Sequence, residues 1–176
     1  MRTLEIRRHT HRNVPQPHLS QTGVDLARRA GEGLGKFDRV VTSTIPRALE
    51  TAIAMGYAVD EQIGQLSTMG DSIDAVIQWN AGFTAWAQAT QSYPVVAHYT
   101  QLMAEVLRAI VRSLPDGGHA LIISHGGIVE ACVVGSVPAG TIFIDDAACG
   151  YCEGARLTFD GEAVIHFEML RNKQPQ

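Results

Sequence analysis

Apolar and polar positions along the 176-residue chain change period several times, and each change marks an element. Thr3 to Arg7 reads as a short strand that runs directly into Arg8, His9, Thr10, His11 and Arg12, so charged and titratable groups stand at a strand's carboxyl end. Ser20 is a natural N-cap for a helix through about Leu34, in which Val24, Ala27, Ala30 and Leu34 recur at helical spacing and Gly35 supplies the stop. Arg39 to Thr42 predicts a second strand. The next helix has Pro46 in its first turn, an apolar stripe of Ile45, Leu49, Ala52 and Ile53, and Gly56 as its stop.

The pattern weakens between Val59 and Tyr93, where Ser72 to Asn80 is the expected short helix and Leu66 to Asp71 a loop. From Pro94 a long helix is predicted, with Leu102, Val106, Ile110 and Leu114 along one face, closed by the turn residues Pro115-Asp116-Gly117-Gly118. Ala120 to Ser124 then reads as a strand whose run Leu121-Ile122-Ile123 is apolar without alternation, as a parallel strand buried on both faces requires. Gly126 and Gly127 lead into a further helix. Ala155 to Phe159 and Glu162 to Phe167 flank Asp160-Gly161, a hairpin-turn signal. Alternating strands and helices imply an α/β fold: a three-layer sandwich with a mostly parallel central sheet and an antiparallel edge from the C-terminal hairpin. Ligands in such sheets collect beyond the carboxyl ends of the strands.

Length and composition narrow this picture. The chain is long enough for a substantial core and short for two domains with a linker, so one domain over residues 1–176 is expected. Hydrophobic residues at 45% and charged residues at 18% exclude disorder and fibrous repeats. A net charge of −4 argues against a nucleic-acid binder, which would rest on a broad basic face, so any anion site has to be local. No apolar run approaches the roughly 20 residues that cross a bilayer, and Met1-Arg2-Thr3-Leu4-Glu5 is unlike a signal segment, so no membrane association and a cytoplasmic location are expected. Three cysteines are too few for a disulfide framework. Cys149 and Cys152 have C-x-x-C spacing, yet a zinc site wants a second pair and a redox site a helix start after the first cysteine; buried thiols are the simpler expectation.

Three strand ends carry polar groups that could converge: Arg8-His9, then Ser43 with Arg47, then Ser124-His125-Gly126-Gly127. Two guanidiniums and two imidazoles suit a tetrahedral dianion, because arginine presents forked donors that match phosphate oxygens. Helix N-termini at Pro46 and Gly127 would add backbone donors. Fixed positive charge keeps a neighbouring imidazole neutral with its lone pair available, so His9 or His125 could be a nucleophile. The remaining cations would stabilise a phosphoryl-transfer transition state, with no metal or other cofactor required.

These residues resemble the histidine phosphatase, or phosphoglycerate mutase-like, superfamily. Leu4-Glu5-Ile6-Arg7-Arg8-His9-Thr10 is similar to its Arg-His-Gly strand, and Leu19-Ser20-x-x-Gly23 to its Leu-Thr-x-x-Gly helix start. Thr42-Ser43-x-x-x-Arg47-Ala48-x-x-Thr51-Ala52 resembles its Ser-Ser-Pro-x-x-Arg-Ala-x-x-Thr-Ala segment, and Ile123-Ser124-His125-Gly126-Gly127 its second histidine motif. The resemblance implies His9 as nucleophile and Arg8, Arg47 and His125 as the phosphate-binding, transition-state-stabilising set, with Thr10, Ser43 and Gly126 as further substrate contacts. It implies a phosphatase acting on a small phosphorylated metabolite or a phosphoprotein.

Two departures stand out. Thr10 replaces the usual glycine and would narrow the pocket. The family's general acid, a glutamate in a Leu-x-Glu segment, is matched by Ile63-Gly64-Gln65, and an amide cannot donate a proton as an acid does. Glu61 and Asp71 are the candidate replacements. The segment Leu66-Ser67-Thr68-Met69-Gly70-Asp71 and the small size resemble the short phosphohistidine phosphatase branch, where a conventional acid is dispensable for a phosphoramidate, acyl phosphate or phenolic ester.

Other readings were open to these residues. His9-x-His11 looks like the start of a metal-dependent amidohydrolase barrel, but that fold needs about 250 residues and a cation would avoid Arg8 and Arg12. A binding module that has lost catalysis would have no use for a nucleophile at His9. A phosphomutase usually carries larger insertions than this middle region. His18, His98, His119 and His166 read as surface or core residues, and Arg7, Arg12, Arg28 and Arg29 as surface or rim charge, with Arg12 able to steer an anion inward. Trp79, Phe83, Trp86 and Tyr99 fit either an aromatic rim or, at helical spacing, the core.

Overall fold

The computed structural model describes residues 1–172. Its centre is a six-stranded sheet formed by β1 (Arg2–Arg8), β2 (Arg39–Thr42), β3 (Glu61–Gln62), β4 (His119–Ser124), β5 (Gly154–Asp160) and β6 (Ala163–Leu170). The spatial order is β3-β2-β4-β1-β5-β6. The first four strands are parallel, while β5 runs antiparallel to β1 and β6 antiparallel to β5. This is the expected sandwich with its antiparallel edge.

Alternation along the strands sorts the core into two layers. Leu4 and Ile6 of β1, with Ala120 and Ile122 of β4, face one layer, while Leu121 and Ile123 face the other. Beneath the second face lie α1 (Gln21–Gly31) and α2 (Pro46–Ala54); over the first lie α3 (Asp71–Asp74), α4 (Phe83–Ser92), α5 (Pro94–Ser113) and α6 (Ile128–Ser136). Among the described residues no helix is long and apolar enough to cross a membrane.

Several elements differ from the pattern-based reading. The first helix stops at Gly31 rather than Leu34, because Gly33 already adopts φ +75 and breaks the helix before Gly35 does. In α2 the buried face is Ala48, Thr51 and Ala52, with Ile53 58% exposed, because the helix lies close on the sheet where small side chains fit. The helix expected over Ser72 to Asn80 is one turn at Asp71–Asp74, and α4 follows a start at Gly82, φ +86, that the weak periodicity hid. Along α5 the buried face is Val96, Tyr99, Met103, Leu107, Ile110 and Val111, and Leu102 is 47% exposed. A strict i+4 row drifts about 40° per step around a helix, so the row from Leu102 to Leu114 begins outside the core and ends in it.

Arg7 corrects another expectation. It is buried, donates to Glu5 Oε2 from Nε at 3.0 Å and from Nη2 at 2.9 Å, and reaches the Cys152 carbonyl through Nη1 at 3.0 Å. Arg156 holds the other oxygen of Glu5. This ion-paired ladder sits on the α1/α2 side of the sheet, where a charge is tolerated because every member is paired.

Candidate active site

The order β2-β4-β1 sets three carboxyl strand ends side by side, about 4.8 Å apart, and the polar motifs are what follow them. The backbone continues this pairing past the strands: His9 N–H donates to the Ser124 carbonyl at 2.8 Å and Ser43 N–H to the Ile123 carbonyl at 3.0 Å. The rings of His9 and His125 consequently lie with centroids 5.0 Å apart.

His9 is held in one tautomer. Its Nδ1–H donates to the Thr10 carbonyl at 2.6 Å, which leaves the lone pair on Nε2, where Arg47 Nε–H donates at 2.9 Å. Burial depresses its pKa to about 3 despite the Thr10 hydrogen bond, and Arg47, Arg8 and Arg12 press in the same direction. For His125 the network assigns the proton in the same way. Ser43 Oγ is buried, accepts the Ile45 N–H at 3.3 Å, and among the described residues has His125 Nε2, at 2.7 Å, as the acceptor within reach of its own hydrogen, so that hydrogen goes to Nε2. The His125 proton then resides on Nδ1, which is buried without a protein partner. Burial, His9 and the two arginines lower the His125 pKa to about 3 as well.

Arg8 lies in an aromatic slot, its guanidinium carbon 4.6 Å from the Trp79 ring centre and 4.3 Å from that of Tyr151. Its Nη1 donates to the Cys149 carbonyl at 3.0 Å, while Nε is buried and unpartnered. Among the described residues no carboxylate forms an ion pair with Arg8 or Arg47. Two guanidiniums, two neutral imidazoles and two unpartnered buried N–H groups therefore face one another, a set that an oxyanion completes.

The other expected residues fall as follows. Gly126 lies beneath Trp79, and a Cβ there would stand 2.7 Å from the indole Cε3, so the glycine is what lets Trp79 cover Arg8. Thr10 is wholly buried; its N–H donates to Thr51 Oγ1 at 3.2 Å and its hydroxyl lies beside the Cys152 thiol. Its contribution is the carbonyl that orients His9. Glu61 lies opposite Val41 on the edge strand β3, and its carboxylate is engaged by Arg39, the first residue of β2. Asp71 is exposed at the start of α3, two residues past Met69, whose sulfur packs on Gly127. Gln65 faces outward into a groove along α5 with Thr68, Leu102 and Arg112. The α6 terminus offers no free Gly127 N–H, because Glu130 Oε2 already accepts it at 2.7 Å.

Sequence reasoning missed Tyr151 and Glu130. Tyr151 stands between Arg8 and His11, whose ring is 4.0 Å away; a lone tyrosine in a loop carries no periodic signal. Glu130 could have been found from Gly127-x-x-Glu130, the spacing of a capping box. Of the four aromatic residues that fitted either a rim or the core, Trp79 is at the site, beside Tyr151, and Phe83, Trp86 and Tyr99 are core. The three cysteines are free and buried, and burial raises the pKa of each, that of Cys152 to about 11.

Sheet order and a strand-end pair of histidines beside two arginines define an α/β protein with a cationic pocket at the carboxyl ends of its strands. The sequence profile of the histidine phosphatase superfamily (branch 1) matches residues 3–167, and the chain belongs to that family. Comparison with curated protein sequences gives no match. Among solved structures, phosphoserine phosphatase from Entamoeba histolytica, seen with 3-phosphoglyceric acid, aligns over 98% of both chains at 15% identity with a TM-score of 0.72. The protein histidine phosphatase SixA, complexed with tungstate, covers 96% of each chain at 18% identity and TM-score 0.64. The mycobacterial glucosyl-3-phosphoglycerate phosphatase bound to VO3 covers 96% of this chain and 97% of its own, at 19% identity and TM-score 0.63.

Proposed function

We propose that this protein is a metal-independent phosphatase that works through a phosphohistidine formed on His9. The observation that carries the reading is the His9 ring itself: Nδ1–H is fixed to the Thr10 carbonyl, so the Nε2 lone pair faces Arg47 and the cationic cluster. An arriving phosphoryl group offers its oxygens to the Arg47 guanidinium, Arg8 Nε and His125 Nδ1, and Arg47 thereby releases the lone pair. A bond then forms from Nε2 to phosphorus while the bond from phosphorus to the leaving group breaks, and the leaving group departs with its electron pair. In the second step a water oxygen bonds to phosphorus, the Nε2 bond breaks, and phosphate is released. The guanidiniums and the His125 N–H bear the charge on the equatorial oxygens throughout.

Substrate class follows from what the cluster lacks. Glu61 is engaged by Arg39, Gln65 faces outward, Asp71 is exposed at the start of α3, and in the unliganded protein burial holds the pKa values of His9 and His125 down to about 3. A leaving group that departs without a full proton therefore fits best: an imidazole, an acyl group or a phenol rather than an alkyl alcohol. The relatives named above, acting on phosphoserine, protein phosphohistidine and a glycosylated phosphoglycerate, support hydrolysis in general, and the short middle region supports hydrolysis over mutase chemistry.

Hydrolysis of p-nitrophenyl phosphate with a chelator present tests the reading. Turnover by the wild type and its loss in His9→Ala are expected. A wild type that binds vanadate yet releases no nitrophenol would make the chain a phospho-ligand binding module of the same fold.

A further inference from the structure

Glu130 is wholly buried in the first turn of α6, and the chemistry above makes no use of it. A carboxylate removed from water is costly unless both oxygens are engaged. Here Oε2 accepts the Gly127 N–H at 2.7 Å and Oε1 accepts the Cys149 N–H at 2.8 Å. Capping α6 would need only the first of these. The second reaches a loop that local sequence does not bring near.

Both ends of this clasp lead to Arg8. On one side, Gly127 packs against the Trp79 backbone and Gly126 against its indole, which covers one face of the guanidinium. On the other, Cys149 is gripped at both of its peptide groups: its N–H by Glu130 and its carbonyl by Arg8 Nη1 at 3.0 Å. Two residues further on, Tyr151 covers the second face. With both faces covered and Nη1 committed, Arg8 presents the edge formed by Nε and Nη2, of which Nε is buried and unpartnered.

We infer that Glu130 is a positioning residue: by tying the Gly126-Gly127 turn to the Cys149–Tyr151 segment it fixes the two walls of the Arg8 slot and aims Arg8 Nε at the bound oxyanion. The inference rests on reading Arg8 as an oxyanion-binding group and stands whether or not the bound group is then turned over.

A double-mutant cycle on binding tests it, with inorganic phosphate and vanadate as titrants for the wild type, Glu130→Gln, Arg8→Ala and the double variant. Glutamine keeps the shape but can accept only one of the two N–H groups, so phosphate and vanadate affinity should fall by about tenfold or more. In the Arg8→Ala background the same change should alter affinity by less than about twofold. Should Glu130→Gln not fold, Glu130→Asp retains the Gly127 contact and is too short for Cys149, and the same cycle is run with it. For p-nitrophenyl phosphate, kcat should fall more than KM rises. An equal loss in both backgrounds overturns the inference, because Glu130 would then act on the fold rather than through Arg8. Oxyanion binding that shows the cycle's coupling without turnover supports the positioning role and sinks the phosphatase reading; a wild type that binds neither anion sinks both.

Discussion

Two histidines in this protein owe their chemistry to what surrounds them rather than to their own ordinary titration. His9 and His125 are pushed down to about 3 first by burial and then by neighbouring positive groups. His9, the proposed nucleophile, should therefore stay unprotonated well below pH 6.5 in the free protein. Once substrate ionisation is divided out, kcat/KM for p-nitrophenyl phosphate should be level between pH 8 and pH 5; a fall centred at pH 6 to 7 would contradict the proposed state of His9. Ser43 bears on the second ring, since its hydroxyl hydrogen directs the His125 proton to Nδ1. Ser43→Ala leaves Nε2 unpaired and the tautomer free. Losing one buried partner costs about 1–3 kcal/mol of folding stability, so the melting temperature should fall, and kcat/KM should fall as well when measured at a temperature where the variant is fully folded; an unchanged kcat/KM there would show that Ser43 does not set the His125 tautomer.

At the level of elements, close approach explains both what holds the site in place and what the pattern of apolar residues failed to show. Helices α5 and α6 pack so tightly that Gly135 rests on the Thr100 carbonyl, leaving no room for a Cβ. Gly135→Ala should force the helices apart at a cost of about 1–3 kcal/mol, lowering Tm by a few degrees per kcal/mol; a melting temperature equal to wild type would show that the contact yields freely. The same closeness selected Ala48 and Ala52 over Ile53 on α2. Strands β1, β2 and β4 and the C-terminal hairpin were legible because their β-rich runs are bounded by turn residues. Helix α4 was not, because Thr84, Ala85, Ala87, Gln88 and Ala89 form no contrasting stripe and its start depends on Gly82 at positive φ.

For the molecule as a whole, burying neutral histidines links folding to pH. Each has a folded pKa depressed below its unfolded value of 6.5, so between about pH 6.5 and 3 the unfolded chain binds more protons. The stability these groups contribute is fully present above 6.5 and is lost as pH falls, at about 1.4 kcal/mol per pH unit for each histidine. Urea unfolding of the wild type should show this decline between pH 7 and pH 5, and a His9→Asn/His125→Asn variant should lose most of it; equal slopes in the two proteins would refute the linkage.

What the sequence determined by itself was local: a strand that delivers Arg8 and His9, another that delivers Ser43 with Arg47 a turn later, and a third that delivers His125 and two glycines. Their chemistry was readable because residue type and strand end lie within a few positions of each other. The tertiary structure decided everything that depended on distant pairing. The order β2-β4-β1 made the three ends neighbours. Burial, not sequence, neutralised the histidines, and Glu130, Cys149 and Tyr151 joined the site through distant contacts, Cys149 meeting Glu130 across 19 residues and Arg8 across 141, with Tyr151 reaching Arg8 from further still. The physical reason is that a buried polar group must find its partner wherever the fold places one, and no run of neighbouring residues records where that is.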